Sequence, residues 1–182
     1  MDRHSPYISV IVVSRNDGYG GNPVYRLQNF LDCNIFLFNK YMLSVELIIV
    51  EWNPPKDNPK FKEIINYTKL EKGEVKIIEV PSIVHNEFVH NKFFNSGKPM
   101  LEYIAKNVGI RRAKGKFILV TNPDIIFNEN LVRFLSKGVI SDKYFYRTNR
   151  YDLKKDIPQN LSVNERLRFC EKNWYKVFDI IG

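Results

Sequence analysis

The stretch Lys106-Asn-Val-Gly-Ile-Arg-Arg-Ala-Lys-Gly-Lys-Phe-Ile-Leu-Val-Thr-Asn-Pro-Asp-Ile-Ile-Phe127 reads, in order, as a helix end, a glycine turn, a buried strand and a carboxylate. Phe117 to Val120 is a continuous apolar run, the pattern of a strand covered on both faces. Open α/β sheets bind ligands at the carboxyl ends of their strands. That order delivers Asp124 to a crevice.

Upstream of it, strands and helices alternate. Ile8 to Val13 reads as the first strand, ended by Ser14-Arg15-Asn16-Asp17-Gly18. A helix from about Val24 to Tyr41 follows, with Leu27, Phe30 and Leu31 on one face. Leu47 to Val50 is the second strand, stopped by Asn53-Pro54-Pro55. Phe61 to Leu70 reads as a helix and Val75 to Val80 as the third strand, which together make the pattern of a parallel sheet. Pro81 to Pro99 reads as a long polar loop, functional or mobile, followed by a helix from Pro99 to Arg112. Downstream, Glu129 to Leu135 is a short helix and Tyr144 to Tyr151 a strand. Ser162-Val-Asn-Glu165 is a capping box opening a last helix toward Phe178. The expected architecture is a single α/β domain, a mostly parallel central sheet flanked by helices.

At 182 residues the chain holds one core comfortably. Ile8 to Val13 is too short for a signal or membrane helix, so a cytoplasmic location is expected and no transmembrane segment. Cys33 and Cys170 lack metal spacing and read as reduced thiols in helices. The net charge of +8 suits anionic partners. Its basic residues are scattered and form no nucleic-acid-binding signature, whereas a nucleotide diphosphate, an acidic glycan or an anionic membrane surface would each account for it. The ending Ile180-Ile181-Gly182, without a polar tail, reads as a domain excised from a longer chain.

The strongest chemical signal is Asn122-Pro123-Asp124. Mg²⁺ and Mn²⁺ prefer oxygen ligands, and a nucleotide diphosphate supplies most of them, so one carboxylate suffices. The plainer alternative is a turn with Asp124 as a cap. Before that strand, Lys106 and Arg111 could pair with phosphate and Asn107 could fix sugar hydroxyls. Gly109 would let the helix approach closely, and Arg111 and Arg112 could equally be a solvated helix end. Arg147, Arg150 and Asp152 fall on the strand after this motif, where a salt-bridged edge explains them as well as chemistry does. His85 and His90 lie in the long loop and read as surface histidines sooner than site residues. Asp17-Gly-Tyr-Gly-Gly21 is not a dinucleotide fingerprint, and Asn95-Ser-Gly-Lys-Pro99 is not a phosphate-binding loop. Neither GxSxG nor HExxH occurs.

Ile8 to Asn16, Glu51-Trp-Asn-Pro-Pro55, Ala105-Lys-Asn-Val-Gly-Ile-Arg-Arg-Ala113 and Thr121-Asn-Pro-Asp124, in that order, resemble the nucleotide-sugar-dependent glycosyltransferases of the GT-A fold, family 2 type, and within them a subgroup with members encoded by large algal viruses. The resemblance covers most of Ile8 to Asp152. It implies a donor-binding half, about 1–127, an acceptor-side segment, about 128–182, and further transferase domains in a full-length chain. A viral origin would put the protein in the host cytoplasm. By the resemblance, Ser14, Arg15 and Asn16 hold the uracil and ribose of a UDP-sugar, Glu51 accepts hydrogen bonds from base or ribose, and Trp52 walls the site. Lys106, Asn107, Arg111, Asn122 and Pro123 line the phosphates and sugar, and Asp124 holds Mn²⁺ or Mg²⁺. Asn122 stands where the family carries the first acid of Asp-x-Asp. Transfer to a glycan hydroxyl with inversion would need a base, for which Asp152 is the candidate. The rival expectation is a degenerate module that binds a nucleotide sugar or glycan without turnover. For Glu51 and Trp52 the plain alternatives are a solvated turn residue and a core plug.

Overall fold

The computed structural model describes residues 5–90 and 97–178. Its elements run β1 (Ile8–Ser14), α1 (Pro23–Lys40), β2 (Val45–Trp52), α2 (Phe61–Ile64), β3 (Gly73–Val80), α3 (Ser82–Val89), α4 (Glu102–Ile110), β4 (Phe117–Val120), α5 (Glu129–Ser136), β5 (Arg150–Leu153), α6 (Val163–Asn173) and β6 (Trp174–Phe178). The first four strands form one sheet, β3-β2-β1-β4, parallel throughout, and β5 and β6 pair antiparallel beside it. The fold is α/β and Rossmann-like, as the alternating pattern predicts.

Side-chain alternation along β1 and β2 builds two cores. Val10 and Val12 with Leu47 and Ile49 face Leu27, Phe30, Leu31 and Phe38 of α1 and Val132 and Leu135 of α5. Ile11 and Val13 with Ile48, Val50 and Trp52 face Ala105 of α4 and the partly buried Val84 and Phe88 of α3. Each of these aliphatic side chains contributes about 1.5–3 kcal/mol by leaving water, so the two central strands anchor the molecule. α1 starts where Asn22 accepts from the Tyr25 N–H at 3.0 Å and Pro23 takes the first position. Gly109 seats α4: a Cβ there would stand 2.6 Å from Ile11 Cγ2 and 3.2 Å from Val50 Cγ2. The expected close approach is therefore real.

The structure corrects several expectations. β4 is not covered on both faces. It is the sheet's edge, and while Phe117 and Leu119 pack on the α1-side core, Ile118 and Val120 are 46% and 43% exposed. α4 packs over β1 and β2 instead. α2 stops at Ile64, because Ile65 turns extended and the Gln28 side chain clamps the Asn66 backbone, accepting from its N–H at 3.1 Å and donating to its carbonyl at 2.6 Å. That clamp competes with helix hydrogen bonds for which Ile64, Ile65 and Thr68 have little propensity.

The expected loop after Pro81 begins as a helix, α3, whose Val84, Phe88 and Val89 pack on the α4-side core. Residues 91–96 of that loop, with Asn95 of the rejected phosphate-loop motif, lie outside the described residues. The strand expected over Tyr144 to Tyr151 forms only as Arg150–Leu153, since Tyr144 and Phe145 stand exposed with no strand beside them. The last helix ends at Asn173, and the β-prone Trp-Tyr-Lys-Val-Phe run pairs with β5. Among the described residues no helix is long and apolar enough to cross a membrane.

Candidate functional site

The chain lays down β1, β2 and β3 in one direction and then crosses back to place β4 on the other side of β1. The reversal falls between β1 and β4, and open α/β sheets bind ligands at the carboxyl ends of the strands on either side of such a point. Ser14, Arg15 and Asn16 follow β1 there, and Asn122, Pro123 and Asp124 follow β4.

Asn122, Pro123 and Asp124 make a tight turn closed by the Ile125 N–H to the Asn122 carbonyl at 3.2 Å. The turn leaves the Asp124 side chain 43% exposed, 3.5 Å from Arg26 Nη1. Asn122 Oδ1 accepts from Lys106 Nζ at 3.1 Å, and Lys106 also pairs with Glu102 at 2.6 Å. Lys106 thus reaches the turn through Asn122, and Arg26 through Asp124. Beside them opens a groove of about 1390 Å³, running from Asn122 and Asp124 past Tyr144, Tyr146, Tyr151 and Trp174.

The first-strand residues are tied to the Asn53–Lys60 segment. Arg15 donates to the Asn53 carbonyl and to Asp17, each at 2.6 Å, Asn16 donates to the Pro59 carbonyl at 3.0 Å, and Asn58 donates to the Asn16 carbonyl at 2.6 Å. Ser14 and Asn16 are buried. These side chains tie the end of β1 to the segment after β2.

Five expected site residues fall away from the crevice. Trp52 is 0% exposed in the α4-side core, its indole N–H donating to His85 Nδ1 at 2.9 Å, so it is a core plug and cannot wall a ligand. Glu51 is also 0% exposed, and its carboxylate accepts from the Phe61 N–H at 3.1 and 3.2 Å, fixing the start of α2. Burial pushes its carboxyl above the ordinary value, against the pull of that N–H. It is neither a solvated turn residue nor a ligand contact.

Arg111 caps the carboxyl end of α4, a few residues from Lys114, whose N–H bonds Glu46 near the amino end of β2. It therefore lies at the opposite end of the sheet from Asp124, and Asn107 faces solvent on the same helix. Asp152 sits on β5, its carboxylate held by Arg150 Nε at 3.0 Å, and it is not among the residues lining the groove. The salt-bridged edge is what forms there.

His85 is a further correction. It is buried in α3, and burial, with the Arg15 guanidinium adding, holds its imidazole below the ordinary value so that it stays a neutral acceptor for Trp52. The cysteines are free, Cys33 buried and Cys170 half-buried, and burial raises their thiols to about 12 and about 11.

Arg26 is the site residue that sequence reasoning missed. It stands in α1 and reaches across to Asp124, a contact spanning almost a hundred positions that no local pattern announces. A faint signal lay in Asp17-Gly-Tyr-Gly-Gly21, whose glycines take left-handed φ of 77°, 69° and 98° at Gly18, Gly20 and Gly21. A Cβ on Gly20 would stand 2.9 Å from Arg26 Nη2, so this loop is shaped around the guanidinium.

Compared with models of known protein families the sequence matches none, and compared with curated proteins it matches none. The site's chemistry therefore rests on its geometry.

Proposed function

We propose that this domain is a glycosyltransferase of the GT-A, family 2 type, moving a sugar from a nucleoside diphosphate, UDP foremost, to a glycan hydroxyl, with the cytoplasm as its place of action. The observation that carries the reading is the exposed Asp124 carboxylate at the reversal between β1 and β4, with Lys106 and Arg26 within reach of the same turn. Paired opposite charges held open at a switch point suit a ligand that brings both phosphate and cation.

The donor set fits Mn²⁺ or Mg²⁺ only as a guest of the nucleotide. Among the described residues no group of three or more His, Cys, Asp or Glu could hold a metal alone, while a single carboxylate with phosphate oxygens is ordinary for these ions. Asp124 would hold it, with the Asn122 amide oxygen beside it, and bound there it would neutralise charge on the leaving diphosphate. Lys106 then orients Asn122 and adds positive potential. The exposed Tyr144, Tyr146, Tyr151 and Trp174 along the groove offer flat faces to an acceptor glycan.

A binding module without turnover is the second reading, favoured by how two candidate bases stand toward the groove. Asp152 lies off it, and Glu129 on its wall is held at about 2 by hydrogen bonds from Lys40 and then Tyr41.

A panel of nucleotide sugars with Mn²⁺, followed for nucleoside diphosphate release and for binding, separates these. Release on adding a glycan acceptor supports transfer. Tight binding with no release selects the module, and the absence of both removes the nucleotide-sugar reading.

A further inference from the structure

The arginines at this end of the sheet are held differently. Arg15 makes two contacts of 2.6 Å and is 14% exposed. Arg26, 32% exposed, approaches Asp124 at 3.5 Å, beyond good hydrogen-bond length, and anchors through Nη2 to the Tyr19 carbonyl at 2.6 Å. Its Nε is buried without an acceptor among the described residues. The guanidinium thus lies between a glycine loop that leaves room for it and a carboxylate it touches only loosely.

Resting on the reading of Asp124 given above, we propose that Arg26 is a displaceable counter-ion. In the ligand-free protein it neutralises Asp124, and when the nucleoside diphosphate enters it passes from the carboxylate to a phosphate oxygen. A half-exposed ion pair at this distance holds its partners by a factor of about five at most. A guanidinium using Nε and Nη as a fork on phosphate is worth about tenfold or more. The exchange therefore runs toward the bound state and gives the orphaned Nε–H an acceptor. It also keeps Asp124 from attracting divalent cations that arrive without a nucleotide.

The test is a sign reversal. Mn²⁺ binding alone is measured by electron paramagnetic resonance, and UDP binding at saturating Mn²⁺ by calorimetry, for the wild type, Arg26→Gln, Arg26→Lys and Asp124→Ala. Arg26→Gln is expected to bind Mn²⁺ alone about two- to fivefold more tightly, yet bind UDP with Mn²⁺ about tenfold or more weakly. Arg26→Lys keeps the charge without the fork, so it falls between on UDP, and it carries the test if the Gln variant does not fold. Shifts of one sign in both assays, or none in either, overturn the proposal. Loss of Mn²⁺-dependent UDP binding in Asp124→Ala, with Arg26→Gln inert, sinks only the Arg26 role. Wild-type behaviour of Asp124→Ala removes the metal-site reading as well.

Discussion

The two ends of the parallel sheet use the same kinds of side chain to opposite effect. At the amino ends Glu46 of β2 is fully buried and fully partnered: Ser9 Oγ donates to it at 2.5 Å, the Lys114 N–H at 2.8 Å, and the Lys76 ammonium pairs with it. Ser9 Oγ in turn accepts from the Gly115 N–H at 2.8 Å, in a space so tight that a Cβ on Gly115 would stand 2.4 Å from Ser9 N. At the carboxyl ends Asp124 is open, with one long contact to Arg26. A closed network of this sort stabilises and specifies a fold, whereas an unsaturated carboxylate and cation remain able to take a ligand. Glu51, between the two ends in character, is as buried as Glu46 but among the described residues its carboxylate is hydrogen-bonded by the Phe61 backbone N–H alone.

If that contrast holds, the largest stability loss comes from Glu46→Ala. It strands the Ser9 hydroxyl and the Lys114 N–H and leaves the Lys76 ammonium only Glu74, and should cost about 3 kcal/mol in urea unfolding. A cost below about 1 kcal/mol would mean that water relieves the network and the amino end is not closed. Gly109→Ala comes next. Its methyl meets Ile11 and Val50 in the core, and lifting α4 should cost about 1–3 kcal/mol and loosen Lys106 from Asn122, measured as reduced melting temperature and weaker UDP binding.

The two buried glutamates should then respond to pH with opposite signs. For Glu46, burial raises the carboxyl but the Lys76, Ser9 and Lys114 hydrogen bonds outweigh it, so its folded value lies below the ordinary 4.5. Its stabilisation is present above pH 4.5 and is lost as pH falls through that lower value. Glu51, raised by burial, does the reverse: the folded state holds its proton more tightly, so stability drains away as pH climbs from 4.5 through the folded value. Glu51→Gln should therefore be neutral or slightly stabilising at pH 7, by up to about 1 kcal/mol, with the gain vanishing near pH 4. Equal pH slopes for Glu46→Ala and Glu51→Gln would erase the distinction. The smallest stability effect is expected at the open end, where Asp124→Ala should move unfolding by less than about 0.5 kcal/mol while removing Mn²⁺-dependent UDP binding.

The sheet was legible because its signals are local. Ile8 to Val13 and Leu47 to Val50 are apolar runs bounded by loop residues, and Leu27, Phe30 and Leu31 mark the face of α1 within two turns. Phe117 to Val120 was correctly a strand but wrongly one covered on both faces, since an apolar run says nothing of what packs on a strand. α3 was hidden by its polar residues, although Val84, Phe88 and Val89 carried a helical spacing. β6 was hidden because a helix and a strand compete for the same aromatic run, and only the presence of β5 decides between them.

Within the candidate site, the sequence alone put Asp124 at a strand's carboxyl end and Asn122 and Lys106 nearby, because a helix, a turn and a strand close in the chain fix that geometry among themselves. It also named Gly109 as a point of close approach. Only the tertiary structure decided that Trp52 and Glu51 turn inward, that Arg111 lies at the far end of the sheet, that Asp152 stands off the groove, and that Arg26 reaches Asp124. Those outcomes depend on which face each strand presents and which helix crosses over it. The strand pairing and helix packing that set them join residues tens of positions apart, and no window along the chain contains both partners.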